Sequence, residues 1–514
     1  MFSKVKSCAV HGVDGRMIDV EADVNDGLPV FTMVGYLSSS VREASERVRT
    51  ALKNSGFHLP PKRITINLSP ADMRKDGSGY DLAIAAAVLL SLGITAELPM
   101  NQTLVLGELS LDGSVKAIPG VLPMVICARE EGMTSCIVPK ENVQEASLVQ
   151  GISVVGVSSL QETMEYIQGI KEIEHTNITQ PAGEASKYMY DIDFADVVGQ
   201  ESIKRGMEIA AAGFHNVLLT GAAGAGKSML AKRLPTILPQ MSFEESLEVT
   251  KIYSVGGMLP PEGGLIHRRP FRAPHHTISE YALIGGGRVP TPGEVSFAHY
   301  GVLFLDELPE FSKPVLEVLR QPLEDRRIRI SRVQASYEFP ADFMFVAAMN
   351  PCPCGNYPDY RKCSCTEQQI RRYQSKVSGP LLDRIDIRME VKGVKQEALF
   401  SKQKTESSKT IRARVEQARQ MQKERFAGTG LLFNSQLDGK NLEEYITLSE
   451  EGKRLVLQLF EEQELSVRGV HRVLKLARTI ADLAGSEEIG NAHLQEAAFY
   501  RNQDVFTKEV LYGN

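Results

Sequence analysis

A glycine-rich segment, GAAGAGKS at residues 221–228, restricts the folds open to this chain more than any other feature. It follows an apolar run, NVLLT, and precedes a helical run, MLAKRL, so it joins a strand to a helix. In that context glycines allow backbone N–H groups to surround phosphate oxygens, and the start of the helix adds positive potential. Spacing and context therefore predict a P-loop for a nucleoside triphosphate. A glycine-rich turn with a chance lysine is the alternative, and the flanking elements disfavour it.

The residues of this loop have separate expected roles. Lys227 is expected to reach the terminal phosphates, and the hydroxyl of Ser228 is expected to bind Mg²⁺. The predicted phosphate cradle consists of Gly221, Gly224, Gly226, Lys227 and Ser228.

Two later apolar strands end in polar side chains. The run GVLFLDE ends at Asp306 and Glu307, which are expected to orient Mg²⁺ through its water shell and to polarise the attacking water, respectively. The run FMFVAAMN ends at Asn350, which would lie beside them at the carboxyl edge of the sheet and could orient the same water. Solvated carboxylates at a strand end, and a turn-forming asparagine before Pro351, are the alternatives.

Arg384 closes the stretch LLDR just before the strand RIDIRMEV. An arginine at such a position can act as a finger into the nucleotide of a neighbouring subunit, an effect of roughly a thousandfold or more in other NTPases. Local pairing with Asp383 or Asp386 is the alternative.

Four of the seven cysteines lie within a short stretch of the chain. Seven in 514 residues do not make a disulfide framework, so the cluster is interpreted as a ligand set. Cys352, Cys354, Cys363 and Cys365 could close a tetrahedral, structural Zn²⁺ site and pin the loop after Asn350. The one-residue gaps are tighter than the usual spacing, and a set of free buried thiols is the alternative.

Length and charge exclude several classes of protein. A chain of 514 residues predicts about three domains, and 43% hydrophobic with 24% charged residues excludes a disordered or fibrous protein. The net charge of −6 excludes a global basic field, so any contact with nucleic acid must be local. The longest largely apolar run, at residues 82–96, is too short to cross a bilayer, and no signal pattern precedes it. A cytoplasmic protein without a membrane partner is therefore predicted.

The chain divides into three blocks. Residues 1–168 mix strand-like runs (IDVEADV, RITINLS, TLVLGEL, SCIVPKE) with two helical patterns (SSVREASERVRTALKNSG, YDLAIAAAVLLSLG), which predicts an α/β domain. Residues 169–189 are polar and predicted to be a linker. Residues 190–395 alternate apolar strands with helical stretches, as in a parallel sheet with helices on its faces. Residues 396–514 are predicted to be mostly helical.

These motifs together resemble a known family. The set GAAGAGKS, LFLDE, AAMN, SGPLLDR and SVRGVHRVLKLARTIADL resembles the AAA+ ATPases. More narrowly, DVVGQ, RPFRAPHHT, ALIGGG and GVLFLDELPEF resemble the magnesium-chelatase-like branch, and the three-block layout is similar to the ComM/YifB family. The resemblance implies an α/β P-loop domain with a helical lid, a sensor arginine at Arg468 with Arg472 as second candidate, and a hexameric ring with ATP between subunits.

The first block resembles the Lon protease domain, a ribosomal S5-like α/β fold, through RKDGSG at 74–79 and GSVKAIPG at 113–120. The nucleophilic serine of that family would fall at Gly79 and its lysine near Leu122, so both reactive groups are missing. A non-proteolytic domain is therefore predicted, with either a structural role or a role in binding protein partners. Ser78 paired with Lys75 or Lys116 is the alternative.

Local basic segments suggest how ATP turnover is used. The string RRIRISR alternates like a β-hairpin, and in ring translocases such a hairpin projects into the pore, where arginines grip phosphates without reading bases. Arg288, Arg329 and Arg332 are the predicted DNA contacts, with ordinary solvated arginines as the alternative. The predicted function is a ring ATPase that translocates on single-stranded or branched DNA, as a branch-migration helicase in recombination of incoming DNA. An ATP-driven protein remodeller and a magnesium-chelatase motor are the alternatives, and the chain contains no D-x-S-x-S segment typical of the latter.

Overall fold

The computed structural model describes residues 1–96, 98–174, 190–260, 264–332, 335–392, 405–463 and 465–501. Most of the predicted linker and the predicted boundary at 395/396 lie outside these residues, so the domain boundaries stay predictions. In the described part of the chain, no helix is both long and apolar enough to cross a membrane.

The N-terminal part is built on a seven-stranded mixed sheet. The strands of residues 1–168 are β1 (Phe2–His11), β2 (Asp14–Asn25), β3 (Val30–Val34), β4 (Arg63–Ser69), β5 (Thr103–Val105), β6 (Glu108–Leu109), β7 (Val115–Lys116), β8 (Ser135–Pro139) and β9 (Ser153–Val157). The sheet order is β3-β4-β2-β1-β5-β8-β9, and β6 pairs with β7 apart from it. The pairs β1–β2 and β2–β4 are antiparallel, and the remaining neighbours are parallel.

Helices cover this sheet where the sequence is apolar. The helix Asp81–Ser91 is buried on nearly every side, which explains its uniformly apolar composition. The predicted helical pattern at 39–56 is divided at Glu43 into two helices, although the Glu43 backbone stays in the right-handed helical region. The helices of this part are Ser39–Arg42, Ala44–Asn54, Asp81–Ser91, Val121–Glu130, Val143–Ala146 and Leu160–Ile167, with 3₁₀ turns at Met100–Gln102 and Lys140–Asn142.

A second sheet is entirely parallel, as its apolar strands predict. The later strands are β10 (Val217–Thr220), β11 (Phe271–Arg272), β12 (Gly285–Gly286), β13 (Thr291–Pro292), β14 (Val302–Leu305), β15 (Arg327–Ser331), β16 (Ser336–Pro340), β17 (Met344–Met349) and β18 (Ile387–Glu390). Five of them form the order β11-β14-β17-β10-β18, and its three central strands are wholly buried. The pairs β12–β13 and β15–β16 are separate hairpins. This architecture, an α/β fold with a P-loop sheet after a mixed-sheet domain, agrees with the AAA+ expectation.

Helices flank the parallel sheet and form the C-terminal part. Around the sheet lie Glu201–Gly213, Lys227–Arg233, Phe243–Val255, Glu280–Ile284, Glu294–Phe297, Lys313–Val318, Arg320–Asp325, Glu367–Gln374 and Gly379–Leu382, with 3₁₀ turns at Phe194–Asp196, Leu234–Thr236 and Leu308–Glu310. The last helices are Ser408–Arg425, Gly439–Tyr445, Glu450–Glu462, Val467–Leu483 and Asn491–Arg501, with a 3₁₀ turn at Asn434–Gln436. One apolar core joins them to the sheet, and the rings of Phe214 and Phe433 stack in it at 4.2 Å.

The two sheets are connected by polar and backbone contacts between distant segments. Buried Glu145 accepts hydrogen bonds from the Leu122 amide at 2.8 Å and from the Ser254 hydroxyl. The Gly120 amide donates to the Ser254 carbonyl at 3.0 Å. The helix Phe243–Val255 of the P-loop part is thereby docked on the helix Val121–Glu130 of the N-terminal part.

Candidate nucleotide and metal sites

The P-loop lies where the sequence predicts it, between β10 and the helix Lys227–Arg233. Gly226 takes φ +94°, which an L side chain rarely adopts, and a Cβ on Gly221 would lie 2.3 Å from the Val391 carbonyl oxygen. The Lys227 Nζ donates to the carbonyls of Gly221 and Ala222 at 2.7 and 2.9 Å. Burial lowers the pKa of Lys227, while Asp306 and Glu307 act in the opposite direction.

Asp306 and Ser228 meet beside this loop. The Ser228 hydroxyl donates to the Asp306 carboxylate at 2.5 Å, which brings together two oxygen ligands of the type that Mg²⁺ takes in nucleotide sites. Glu307 follows directly with φ 53° and ψ 48°, in the left-handed region. A glutamate held in that strained conformation at the end of a buried strand is a feature typical of functional sites.

Asn350 completes the cluster. The pairing of β10 with β17 places Thr220 opposite Met349, so the P-loop and Asn350 start at the same edge of the sheet. The Asn350 side-chain oxygen accepts a hydrogen bond from Lys227 at 3.1 Å. One cavity of about 310 Å³ is lined by the P-loop together with Asp306, Glu307 and Asn350. The residues of three strand ends that the sequence associates with nucleotide chemistry thus share one cavity.

The two predicted cationic residues, Arg384 and Arg468, lie elsewhere. Both line a separate polar cavity of about 280 Å³. This cavity lies between the end of the helix Gly379–Leu382, which precedes β18, and the helix Val467–Leu483. Arg384 donates to Glu324 and to the Pro380 carbonyl, the latter at 2.8 Å. Local pairing of Arg384 therefore involves Glu324, and not Asp383 or Asp386 as the alternative proposed. Glu324 lies in another helix, Arg320–Asp325, so no local pattern in the sequence indicates this pairing.

Comparison with known proteins agrees with this geometry. Family models described as magnesium chelatase subunit ChlI, subunit ChlI of Mg-chelatase and the ChlI C-terminal part match residues 193–399, 20–142 and 405–501. The chain is 40% identical over 501 residues to competence protein ComM of Haemophilus influenzae, covering 97% of each chain. The chain belongs to the YifB/ComM family of Mg-chelatase-like AAA+ ATPases. Membership of this YifB/ComM family implies ATP and Mg²⁺ as the bound nucleotide and its metal.

Two further relatives are informative. The YifB protein of Escherichia coli is 41% identical over 504 residues, covering 98% of this chain and 97% of that protein. Lon protease 2 of Bacillus subtilis is 31% identical over 183 residues, about a third of either chain. The similarity to Lon protease 2 agrees with the prediction that part of this YifB/ComM family member is Lon-like.

The degenerate protease residues do not form a dyad with one another. The Ser78 hydroxyl donates to Glu108, and Lys75, whose side chain is buried, donates to the Pro70 carbonyl. A Cβ on Gly79, where the family's serine would lie, would contact Ile118 at 3.0 Å. Ser78 and Lys75 therefore bond to other groups and not to each other, which favours the non-proteolytic interpretation, while Lys116 lies opposite Glu108 in the β6–β7 pair.

The four clustered cysteines converge after β17. Their sulfurs all lie within 4.8 Å of one another, and three of the pairs are separated by 3.4, 3.6 and 3.8 Å. Four Zn–S bonds of about 2.3 Å in a tetrahedron place sulfurs about 3.8 Å apart, so the set fits a structural zinc ion. Backbone N–H groups of Asn356 and Ser364 lower the pKa of Cys354 to about 6, which favours the thiolate that a metal requires.

This cysteine loop also touches the nucleotide cavity. A Cβ on Gly355 would lie 3.4 Å from the Ala223 amide nitrogen in the P-loop and 3.9 Å from the Asn350 side chain. The Gln374 side chain fixes the start of the loop by donating to the Pro351 carbonyl at 3.0 Å. Sequence spacing predicts the metal ligands, but not that the loop packs against the phosphate cradle.

Arg472 and Arg468 lie on the same helix but differ in their surroundings. It is bonded to the buried carboxylate of Asp386, which also accepts from the Asn216 amide at 3.1 Å and faces His215 at 3.5 Å. Burial alone would raise the pKa of Asp386, but Arg472 and His215 lower it well below its usual range. Arg468 is exposed at the cavity instead. Arg472 therefore supports the fold, and Arg468 remains the candidate sensor.

The three predicted DNA contacts differ in their surroundings. Arg329 donates to Glu338 at 3.1 and 3.2 Å, and Arg327 donates to the same carboxylate at 2.7 Å, so two guanidinium groups share one carboxylate on the hairpin. Arg332 follows β15 and donates to the Gly287 carbonyl at 3.0 Å, and Arg288 is exposed on the adjoining loop. Glu338 was not identified from the sequence, although it lies in register with Arg329 across the hairpin.

Replacing Arg472 and Arg468 should separate their roles. Arg472→Ala leaves Asp386 buried with fewer cations, so the free energy of unfolding should fall by about 3 kcal/mol. Because the folded pKa of Asp386 is lowered, this stabilisation is present above about pH 3.9 and is lost as the pH falls towards the folded value. Arg468→Ala should leave the melting temperature unchanged but reduce ATPase activity, and thermal unfolding with turnover measurements tests both. Equal melting temperatures for the two variants would contradict this assignment.

The metal assignment is tested by removing two sulfurs at the far end of the cluster. Wild-type protein purified under reducing conditions should contain about one zinc per chain, and Cys363→Ser with Cys365→Ser should lose it. Because the loop packs on the P-loop, ATP affinity should fall as well. Native mass spectrometry and nucleotide titration measure these effects, with Cys127→Ser as the control outside the cluster. Metal-free, freshly reduced wild-type protein would establish free thiols instead.

Proposed function

We propose that this protein is a ring-forming ATPase that couples ATP hydrolysis to movement along DNA, as a branch-migration helicase in recombination of incoming DNA. The observation that carries the proposal is the separation of two cavities. The phosphate cradle carries Lys227 and the acidic pair, whereas Arg384 and Arg468 line another cavity of the same chain. An arginine that stabilises the transferring phosphoryl group must then come from a second copy.

This division of residues favours a ring. A head-to-tail contact uses two different surfaces of each copy and closes into a ring when its rotation allows. In such a ring, the cavity with Arg384 and Arg468 of one subunit would face the P-loop cavity of the next. Arg384 would exchange Glu324 for the γ-phosphate, so nucleotide hydrolysis and assembly depend on each other. We propose a homohexamer, as the family resemblance implies.

The chemistry within one cavity follows from the side chains present. Mg²⁺ supplies charge neutralisation at the β- and γ-phosphates. Ser228 and Asp306 would provide its hydroxyl and carboxylate contacts, and Lys227 would neutralise phosphate charge. Glu307 orients and polarises the attacking water, and Asn350 fixes the position of that water relative to Lys227. The structural role of zinc is to hold the loop that packs on this cradle.

Two observations support DNA as the polymer along which the ATPase moves. The relative from Haemophilus influenzae is named a competence protein, and Arg288 and Arg332 lie together on two adjoining loops. Contacts of this kind engage phosphates without reading bases. We propose single-stranded or branched DNA as the partner and a cytoplasmic location.

A second candidate is an ATP-driven protein remodeller. The similarity to Lon protease 2 favours it, because it places a protease-like fold, here without a serine at residue 79, beside the motor. In that case polypeptide, and not DNA, would stimulate turnover.

Two substitutions test the ATPase assignment at separate steps. Lys227→Ala should abolish ATP binding and turnover because the terminal phosphates lose their cation. Glu307→Gln should bind ATP with nearly wild-type affinity yet hydrolyse it at least 100-fold more slowly, as expected for loss of the group that activates water. Nucleotide titration and phosphate release measure the two steps. Unchanged turnover in both variants would refute the proposed chemistry.

DNA dependence is tested by stimulation of turnover. Single-stranded or forked DNA should increase the ATPase rate, and the apparent affinity should fall steeply as salt rises because counterions are released on binding. Casein serves as the polypeptide comparison. Stimulation by casein and none by DNA at low salt would support the remodeller.

A further inference from the structure

The degenerate protease region and the hairpin β15–β16 enclose one cleft. Its volume is about 590 Å³. One wall comes from the β1–β2 turn and the loop at residues 72–80, which contains the former serine position, Gly79. The other wall comes from residues 288–291 and from the hairpin. We refer to this space as the interdomain cleft.

The two walls are held together at the β1–β2 turn. Gly12 has φ +68°, and a Cβ there would lie 2.8 Å from the Glu338 carbonyl oxygen, so the turn and the hairpin are in close backbone contact. Beside this contact, the rings of His11 and Tyr337 stack at 4.5 Å between centroids. A displacement of the hairpin would therefore also displace the β1–β2 turn of the N-terminal part.

The cleft carries an excess of positive charge although the chain is acidic overall. Four guanidinium groups line it, two from each wall, against two carboxylates. They are Arg16 and Arg74 from the N-terminal part, Arg288 and Arg332 from the P-loop part, and Asp72 and Asp76. Arg74 is paired with Asp76 at 3.2 Å, whereas Arg16 and Arg288 are exposed. Such a distribution suits a polyanion.

Flat rings accompany these cations. Tyr36 lines the cleft together with the stacked pair of His11 and Tyr337. Burial, with a contribution from Arg16, lowers the pKa of His11, which disfavours the charged form of its ring. Alternation of arginine with aromatic rings is typical of surfaces that bind single-stranded nucleic acid.

We propose that the interdomain cleft binds a segment of single-stranded DNA. Arg16 and Arg74 contact its phosphates alongside Arg288 and Arg332, and a base stacks on Tyr36 or on the ring pair. The proposal rests on the proposed function and extends its DNA path from the motor into the degenerate protease fold. An extended peptide would instead need an exposed strand edge for main-chain pairing. At this cleft both β1 and β2 are already paired on two sides within their sheet, whereas β15 and β16 pair only with each other, so a peptide added to the hairpin is the alternative that the crosslinking experiment below distinguishes.

The charge contribution is tested with the full chain and a fluorescein-labelled oligodeoxythymidine. Arg16→Ala and Arg74→Ala should each weaken binding roughly tenfold and reduce the slope of log affinity against log salt by about 0.7. Arg49→Ala, an exposed arginine of the same part that does not line the cleft, should bind as wild type. Basal ATPase activity should be unchanged in all three. Fluorescence anisotropy measures the binding.

The outcomes separate the two proposals. Wild-type protein that hydrolyses ATP but does not bind the oligonucleotide would refute DNA as the partner. Wild-type binding with Arg16→Ala and Arg74→Ala indistinguishable from Arg49→Ala would refute the cleft while leaving the motor assignment intact.

Photocrosslinking places the ligand directly. The variant Tyr36→p-benzoylphenylalanine should crosslink to the oligonucleotide, and competing unlabelled oligonucleotide should suppress the adduct. Crosslinking to added casein in preference to DNA would overturn the proposal and make the cleft a peptide site.

Discussion

The parallel pairing of β10, β14 and β17 is the constraint on which the remaining structure depends. Their register brings the P-loop, Asp306 and Asn350 to one edge of the sheet, although these residues are spread over positions 221–350 of the chain. The same alignment lets Lys227 donate to Asn350 and Ser228 donate to Asp306. A shift of one residue in either pairing would turn these side chains to the other face and dismantle the site.

A site assembled in this way lacks a finger arginine within its own cavity. Arg384 and Arg468 share another cavity with Glu324 and with the buried pair of Asp386 and Arg472. Asp386 and Arg472 fix the start of β18 against the helix Val467–Leu483. The position of the exposed Arg468 on the same helix is therefore set by packing and not by a catalytic contact. In the proposed ring, chemistry at the phosphate would depend on contact between copies, and the helix Val467–Leu483 would be part of that contact.

The cysteine loop and the N-terminal sheet both contact the P-loop part of the chain. The cysteine loop packs on the P-loop at Gly355, so the cluster of four cysteines lies beside the phosphate cradle. The N-terminal sheet contacts the hairpin at Gly12 and the helix Phe243–Val255 at Glu145. One cleft therefore has the N-terminal part as one wall and the hairpin β15–β16 as the other.

The amino-acid sequence by itself indicated the P-loop, the acidic pair that follows β14, the cluster of four cysteines and the alternation that builds the parallel sheet. Each depends on residues adjacent in the chain or on local periodicity, and backbone geometry converts such patterns into structure directly. β1 was not anticipated, because its status as a central strand comes from pairing with β2 and β5 rather than from its own composition. Only the tertiary structure decided that Arg384 bonds Glu324, that Arg472 and not Arg468 supports the fold, and that Arg16 faces Arg332 across a cleft. Those relations join elements far apart in the chain, and the packing that orients their side chains exists only after the sheets and helices have assembled.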